Sequence, residues 1–261
     1  MKKQSGLSLD IVILAGGPAS KLEEDSPLLH RSLICVQGKT VLEHMVEAVR
    51  KAGICRELII IGSEPITESP YVSLADQYIA VPESSKLSDN FRKSTQACKA
   101  SHIMIMGGDI PAINAEILDK LYELIEEYQE KDLLAFVVTR ESVEASFPGS
   151  HRTYGKIKEG RAKVGNALVI RQEALSKLDP LIDKFTKNRK SVLKLAFSFG
   201  IINIIKLAIF KNISIPQLEK AFKKSTGIDA KGILTPYGEL AVDIDKSSDL
   251  SDMENYFGRK A

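Results

Sequence analysis

The chain alternates short, almost purely apolar runs with amphipathic segments of helical period, and this alternation limits its fold more than any other feature. Residues 11–14 ("IVIL"), 57–62 ("ELIIIG"), 77–82 ("QYIAVP"), 102–111 ("HIMIMGGDIP") and 132–140 ("DLLAFVVTR") read as strands. Between them lie helical segments. In "GKTVLEHMVEAVRKAG" (38–53), Val41, Leu42, Met45, Val46 and Val49 recur at helical spacing, Thr40 and Glu43 match a capping box, and Gly53 follows the end. "SDNFRKSTQACKA" (88–100) reads as a second helix. "NAEILDKLYELIEEYQEK" (114–131) reads as a third, with Ile117, Leu118, Leu121, Leu124 and Ile125 on one face. Strands without polar alternation are buried on both faces, so the expected architecture is α/β: three layers, with a mostly parallel sheet between helices.

After about residue 145 the alternation loosens. "RTYGKIKEGRAKVGNALVI" (152–170) predicts a hairpin around Glu159-Gly160, further helices follow, and "GELAVDID" (238–245) predicts a late strand feeding a last helix that runs through Asn255. No internal repeat or low-complexity linker divides the 261 residues, which argues for one elaborated domain.

Charge is balanced, 36 basic against 34 acidic residues, so no global field points to nucleic acid or an acidic membrane. Three separated cysteines lack metal or redox spacing and favour a reducing, cytoplasmic setting; Cys35 and Cys55, among apolar neighbours, are expected to be buried thiols. The apolar run near the N-terminus is too short for an export signal, and Asp10 interrupts its approach. The long apolar stretch "SVLKLAFSFGIINIIKLAIF" (191–210) carries Lys194 and Lys206 and, with Ser198, a polar stripe. It is expected to pack as a core helix, with a homodimer surface or a lipid-contacting face as alternatives, and not to span a membrane.

In open parallel sheets, ligands bind at the carboxyl ends of the strands. Two glycine-containing motifs fall there. The first is A-G-G-x-x-x-K, Ala15 to Lys21, directly after the first strand. Backbone N–H groups of such a loop form a concavity for anions, Lys21 can add a point charge, and Arg31 ten residues on can reach the same polyphosphate. The second is Gly107-Gly108-Asp109, where a carboxylate after a buried strand suits Mg²⁺, an ion that takes one or two carboxylates plus substrate phosphates. Asp243 and Asp245 in "AVDID" are candidates to complete that site; alternatively Asp245 and Asp249 cap the last helix. "VQGKT" (36–40) fails as a P-loop, since Leu33 stands where that motif needs glycine, and no G-x-G-x-x-G follows the first strand. The histidines (30, 44, 102 and 151) have no ligand or triad spacing.

Taken together, "LAGGPASKL", "RSL", "GKTVLEHMVEAV", "GGDIP" and "DIDKSSDL" resemble the MobA-like NTP transferase family. The resemblance covers about residues 9–140, is looser through 152–170, and returns at 239–250. It implies a Rossmann-like sheet of the nucleotide-diphospho-sugar transferase type. About 9–140 would form the NTP-binding half and about 141–261 the acceptor-side half. It also implies transfer of an NMP group from an NTP, GTP or CTP foremost, to a small phosphorylated acceptor, with Mg²⁺ as cofactor and pyrophosphate released. Leu14, Ala15, Gly16, Gly17 and Asn90 would hold the nucleotide. Lys21 stands at the family's arginine position and Arg31 at its lysine position, both as catalytic and phosphate-binding cations. Asp109, with Asp243 and Asp245, would hold the metal, and Arg152, Gly165 and Asn166 would face the acceptor. Ala19 stands where the family usually has Gly or Ser, and His30 where it usually has proline. Two alternatives are a nucleotide-sugar-dependent glycosyltransferase, suggested by the D-x-D of "DID", and a nucleotide-binding protein that no longer turns over.

Overall fold

A computed structural model describes residues 7–17, 19–25, 27–188 and 213–260, with 185–188 described by backbone alone. The apolar stretch 191–210 lies outside the described residues. The strands are β1 (Leu9–Ala15), β2 (Cys35–Val36), β3 (Lys39–Thr40), β4 (Glu57–Gly62), β5 (Gln77–Ala80), β6 (His102–Gly107), β7 (Leu133–Thr139), β8 (Gly155–Ile157), β9 (Gly160–Arg171) and β10 (Ala230–Thr235). The helices are α1 (Val41–Ala52), α2 (Glu64–Thr67), α3 (Leu87–Ala97), α4 (Ala115–Glu127), α5 (Arg140–Ser146), α6 (Leu175–Asn188), α7 (Ile215–Thr226) and α8 (Ser247–Gly258).

The main sheet has the order β10-β7-β9-β6-β1-β4-β5, with β8 hairpinned onto β9. β1 is parallel to both neighbours, β4 to β5 and β10 to β7, whereas β9 runs antiparallel between β6 and β7. The sheet is therefore mixed but mostly parallel. From β1 the chain moves outward to β4 and β5, then returns through α3 to β6 on the other side of β1. That reversal opens a crevice at the carboxyl ends of β1 and β6, the usual ligand position in such sheets.

The inner apolar runs are buried on both faces, as their lack of alternation predicts, whereas edge strand β5 is only partly covered. Ile11, Ile13, Leu58, Ile60, Met104 and Met106 enter one core with α1 and α4. Val12, Ile59, Ile61, Ile103 and Ile105 enter the other, with Cys98, Leu178 and Phe222. The expected cap of α1 is present: Thr40 Oγ1 accepts from the Glu43 N–H at 3.1 Å, and Gly53 ends the helix at a φ of 63°. Asn114 caps α4 the same way, accepting from Ile117 N–H at 3.0 Å, which leaves Asp109 free of that duty.

Three expectations are corrected. Residues 238–245 form no strand: Gly238–Ala241 is a single 3-10 turn, and the chain then crosses the end of the sheet. The edge position is taken instead by β10, which the sequence reading passed over. Cys35 is exposed because, in two-residue β2, Val36 takes the buried side; Cys55 is only partly covered, and the buried thiol is Cys98. Of the two candidate caps on the last helix, Asp249 alone acts, accepting from the Asp245 and Lys246 N–H groups at 2.9 and 3.0 Å. Among the described residues no helix is long and apolar enough to cross a membrane.

Candidate active site

The two glycines after β1 have different jobs. A Cβ on Gly16 would lie 2.8 Å from Asn90 Nδ2 and 2.9 Å from Val81 Cγ2, so the position has no room for a side chain. A Cβ on Gly17 would meet nothing within 4 Å. Gly16 is thus packed against the start of α3, while Gly17 opens onto the crevice. Asn90 is buried; its Nδ2 donates to Gly16 O at 3.5 Å, and its Oδ1 has no hydrogen-bond partner among the described residues.

Beyond Gly17 the loop folds back on itself, Ser20 and Leu29 exchanging backbone hydrogen bonds of 2.9 and 3.0 Å. This return brings Arg31 alongside, and its Nε donates to Ser20 Oγ at 3.3 Å. Lys21 goes elsewhere: its Nζ donates to the Glu24 carbonyl at 2.6 Å within the exposed loop. The structure therefore separates the two cations that the sequence reading placed together.

Asp109 follows β6 through two glycines that have steric reasons. A Cβ on Gly107 would lie 2.8 Å from Asp109 Oδ1; one on Gly108 would lie 2.7 Å from Ser32 Oγ and 2.8 Å from Leu14 O. The Gly108 N–H donates to Leu14 O at 3.0 Å and Ser32 Oγ to Gly108 O at 2.7 Å, which ties the ends of β1 and β6 together. The Asp109 carbonyl in turn accepts from Ile244 N–H at 3.0 Å, so the segment bearing Asp243 and Asp245 is fastened beside it. Arg31 bridges the group: its Nη1 pairs with Asp245 Oδ1 and lies 3.5 Å from Asp109 Oδ2.

Burial pushes the Asp109 carboxyl up to about 6, and the Asp243 and Asp245 carboxylates push in the same direction against Arg31. Three acids with hard oxygen donors and an unmet negative charge suit a divalent cation. Among the described residues no set of three or more His, Cys, Asp and Glu side chains is arranged to hold a metal alone. The arrangement fits the mode of Mg²⁺, in which one or two carboxylates are completed by substrate phosphates.

The other wall comes from β9. Its antiparallel direction brings its first half to the carboxyl ends of its neighbours β6 and β7, on the same side of the sheet as the end of β1. A register break opposite Ala135 and Val137 disrupts the period of two along it. The break lets residues three apart reach one carboxylate: Asn166 Nδ2 donates to Asp243 Oδ1 at 3.4 Å, and Lys163 Nζ lies 3.9 Å from the same atom. Lys163 also donates to Ala241 O at 2.8 Å, and burial lowers its pKa despite the nearby acids. Lys163 was missed in the sequence because strict alternation separates it from Asn166; the lysine two residues before Gly165 in "AKVGN" was the available signal.

The remaining acceptor-side candidates have packing duties. A Cβ on Gly165 would come within 3.1 Å of Leu240 Cβ and O, so this glycine admits the 238–241 turn. Arg152, 8% exposed, pairs with the buried Asp249 and donates to Asp243 O at 3.2 Å, pinning α8 and the acidic segment. Two of the histidines are also structural: His44 bonds Val36 O and stacks on Phe257, and His102 bonds Gln129 O.

With this geometry established, known proteins place the chain. A family model of the MobA-like NTP transferase domain matches residues 11–196. A structure described as a hypothetical transferase from Thermus thermophilus superposes with a TM-score of 0.79 and 25% identity, covering 94% of this chain and 100% of that one. A CMP:2-keto-3-deoxy-manno-octonic acid synthetase complexed with CTP superposes at 0.64 with 14% identity, over 97% and 100% of the two chains. The likeness to that CTP-binding protein is one of fold. The bifunctional protein GlmU of Syntrophomonas wolfei is 28% identical over 136 residues, 51% of this chain and 29% of that protein. The chain thus spans less than a third of the length of the curated relatives it matches. Matched over well more than half its length, the chain belongs to the MobA-like NTP transferase family of nucleotidyltransferases.

Proposed function

We propose that this chain is a Mg²⁺-dependent nucleotidyltransferase that moves an NMP group from an NTP, GTP or CTP foremost, to a small phosphorylated acceptor. The observation that carries this reading is the meeting of an open glycine loop and a cluster of three acids at the carboxyl ends of adjacent strands β1 and β6. The backbone of Leu14 to Gly17 receives the triphosphate, and Asn90 Oδ1, buried with no partner among the described residues, is an acceptor for a donor on the base. Asp109, with Asp243 or Asp245, holds Mg²⁺, which when bound offsets charge on the triphosphate and leaving group.

An acceptor phosphate oxygen attacks the α-phosphorus. The new P–O bond forms as the bond to the α–β bridging oxygen breaks, and pyrophosphate leaves with the electron pair. No side-chain nucleophile is needed, so the protein's contribution is orientation and charge. Arg31 and, after leaving the Glu24 carbonyl, Lys21 steady the departing pyrophosphate. Residues about 9–140 carry the nucleotide and about 141–261 the acceptor, as halves of one domain working in the cytoplasm. On the acceptor side Asn166 and Lys163 face the crevice, while Arg152 and Gly165 hold its wall in place.

Calorimetric titration with each of four NTPs, with and without Mg²⁺, tests the reading on wild type and Asp109→Asn. One NTP should bind in a Mg²⁺-dependent manner that the variant loses. A pyrophosphate-release screen over sugar and polyol phosphates then identifies the acceptor. Absence of NTP binding by wild type would remove the proposal.

A further inference from the structure

Arg31 occupies an unusual place for a phosphate-binding cation. Its guanidinium is directed at Asp245 Oδ1 and Asp109 Oδ2, oxygens of the acids proposed above to ligate the metal. On its other side Nε reaches Ser20 Oγ, on the loop that leaves Gly17. One planar group therefore spans the carboxylate cluster and the phosphate loop. A guanidinium offers several N–H donors in a fixed fork and stays charged at all relevant pH, so it can neutralise acids in the absence of a metal and phosphates in their presence.

We infer that Arg31 stands in for the metal on Asp109 and Asp245, and that binding of the divalent cation displaces it onto the nucleotide's phosphates. This deepens the proposed function and rests on its metal reading. Metal alone must compete with Arg31 for carboxylate oxygens. Nucleotide alone must draw Arg31 away from acids that would be left unpaired. Bound together, each ligand relieves the other's cost: the metal takes the carboxylates, and the freed guanidinium takes the phosphates. The two ligands are then positively coupled, and by linkage each tightens the other by the same factor. Arg31 is the positioning residue that sets this coupling. Lys163, on the opposite wall, donates to the Ala241 carbonyl and lies 3.9 Å from Asp243 Oδ1, so its ammonium is placed on the third acid and not between Asp109 and Asp245.

Mn²⁺ binding measured by electron paramagnetic resonance tests the inference without turnover, using the full chain with and without saturating CTP or GTP and no acceptor. Wild type should bind Mn²⁺ weakly alone and about tenfold more tightly with nucleotide, within the usual range of coupling. Arg31→Met should bind Mn²⁺ alone more tightly than wild type does, and nucleotide, whose phosphates still complete the metal's shell, should tighten it by a clearly smaller factor than in wild type. Arg31→Lys, which keeps charge but loses the fork, should fall between; it serves as the folded control if the methionine variant melts early. Equal Mn²⁺ affinity in wild type and both variants, or weaker binding in Arg31→Met, would overturn the inference while leaving the metal site intact. Failure of Mn²⁺ to bind any of the proteins, even with nucleotide, would overturn the metal reading and this inference with it.

Discussion

Acidic residues gather at both ends of the same sheet, buried at the amino end and partly open to solvent at the carboxyl end, and the two ends treat them differently. At the amino end of β1, Asp10 is fully buried. Its Oδ2 accepts from Arg56 at 2.8 Å and from the Lys99 and Ala100 N–H groups at 2.7 and 2.9 Å. Just before β7, Asp132 accepts from Arg171 at 2.8 Å, Lys177 at 3.3 Å and the Asp229 N–H at 3.0 Å. Burial alone raises the Asp132 pKa, but these donors outweigh it and hold the carboxyl below its ordinary value. At the carboxyl end, Asp109 has Arg31 against the combined influence of burial, Asp243 and Asp245, and its pKa rises. One end surrounds its acids with donors and cations and welds loops together. The other end gathers like charges, at a cost to stability, where a ligand can neutralise them.

The same substitution at each end gives the most direct way to break this contrast. Asp109→Asn should lower nucleotidyl transfer by about a thousandfold, roughly 4 kcal/mol of transition-state stabilisation. Its urea unfolding midpoint should stay at or above that of wild type, because a repelled charge has been removed. Asp132→Asn should cost about 3 kcal/mol in urea unfolding by leaving Arg171 and Lys177 without their acid, while kcat and KM of the folded protein stay unchanged. If Asp109→Asn unfolds as readily as Asp132→Asn, the division into a structural and a functional end is wrong.

Acid titration sharpens the comparison. Because Asp132 is held below its unfolded value of 3.8, the unfolded chain takes up the proton first as pH falls. Its contribution is complete above that value and is lost as pH drops through it toward the lower folded value. Wild-type unfolding free energy should therefore decline more steeply below about pH 4 than that of Asp132→Asn. Parallel curves for the two proteins would deny Asp132 this role.

A smaller effect is expected within the carboxyl end itself. Lys163→Met removes the ammonium beside Asp243 but keeps most of the apolar stem. The acceptor KM should rise about tenfold, the scale of one charge-assisted hydrogen bond. NTP affinity measured by calorimetry should not move. A change confined to the NTP would shift Lys163 to the nucleotide side.

Several parts of the site were legible because their causes are local. Gly16 must lack a side chain, Asp109 must follow a buried strand through a tight approach, and Thr40 must cap α1; each follows from a few consecutive residues. The packing role of Arg152 was not legible: its partner Asp249 lies 97 positions away, and nothing in "HRTYG" announces that pair. Lys163 was invisible for a related reason: a register break, not a sequence period, turns it toward Asp243.

The sequence by itself determined the alternating strands and helices, the two buried faces of the sheet and the glycine turns, since apolar period, capping and backbone sterics act over short spans. Tertiary structure alone decided that β9 enters antiparallel between β6 and β7, that β10 takes the edge, and that residues 242–245 cross the sheet end without forming a strand. It also decided that Lys21 turns to its own loop while Arg31 enters the acids. Those outcomes depend on which distant segments pack together. Strand pairing and charge pairing are set by the whole fold, and their partners are not encoded in the local pattern of either residue.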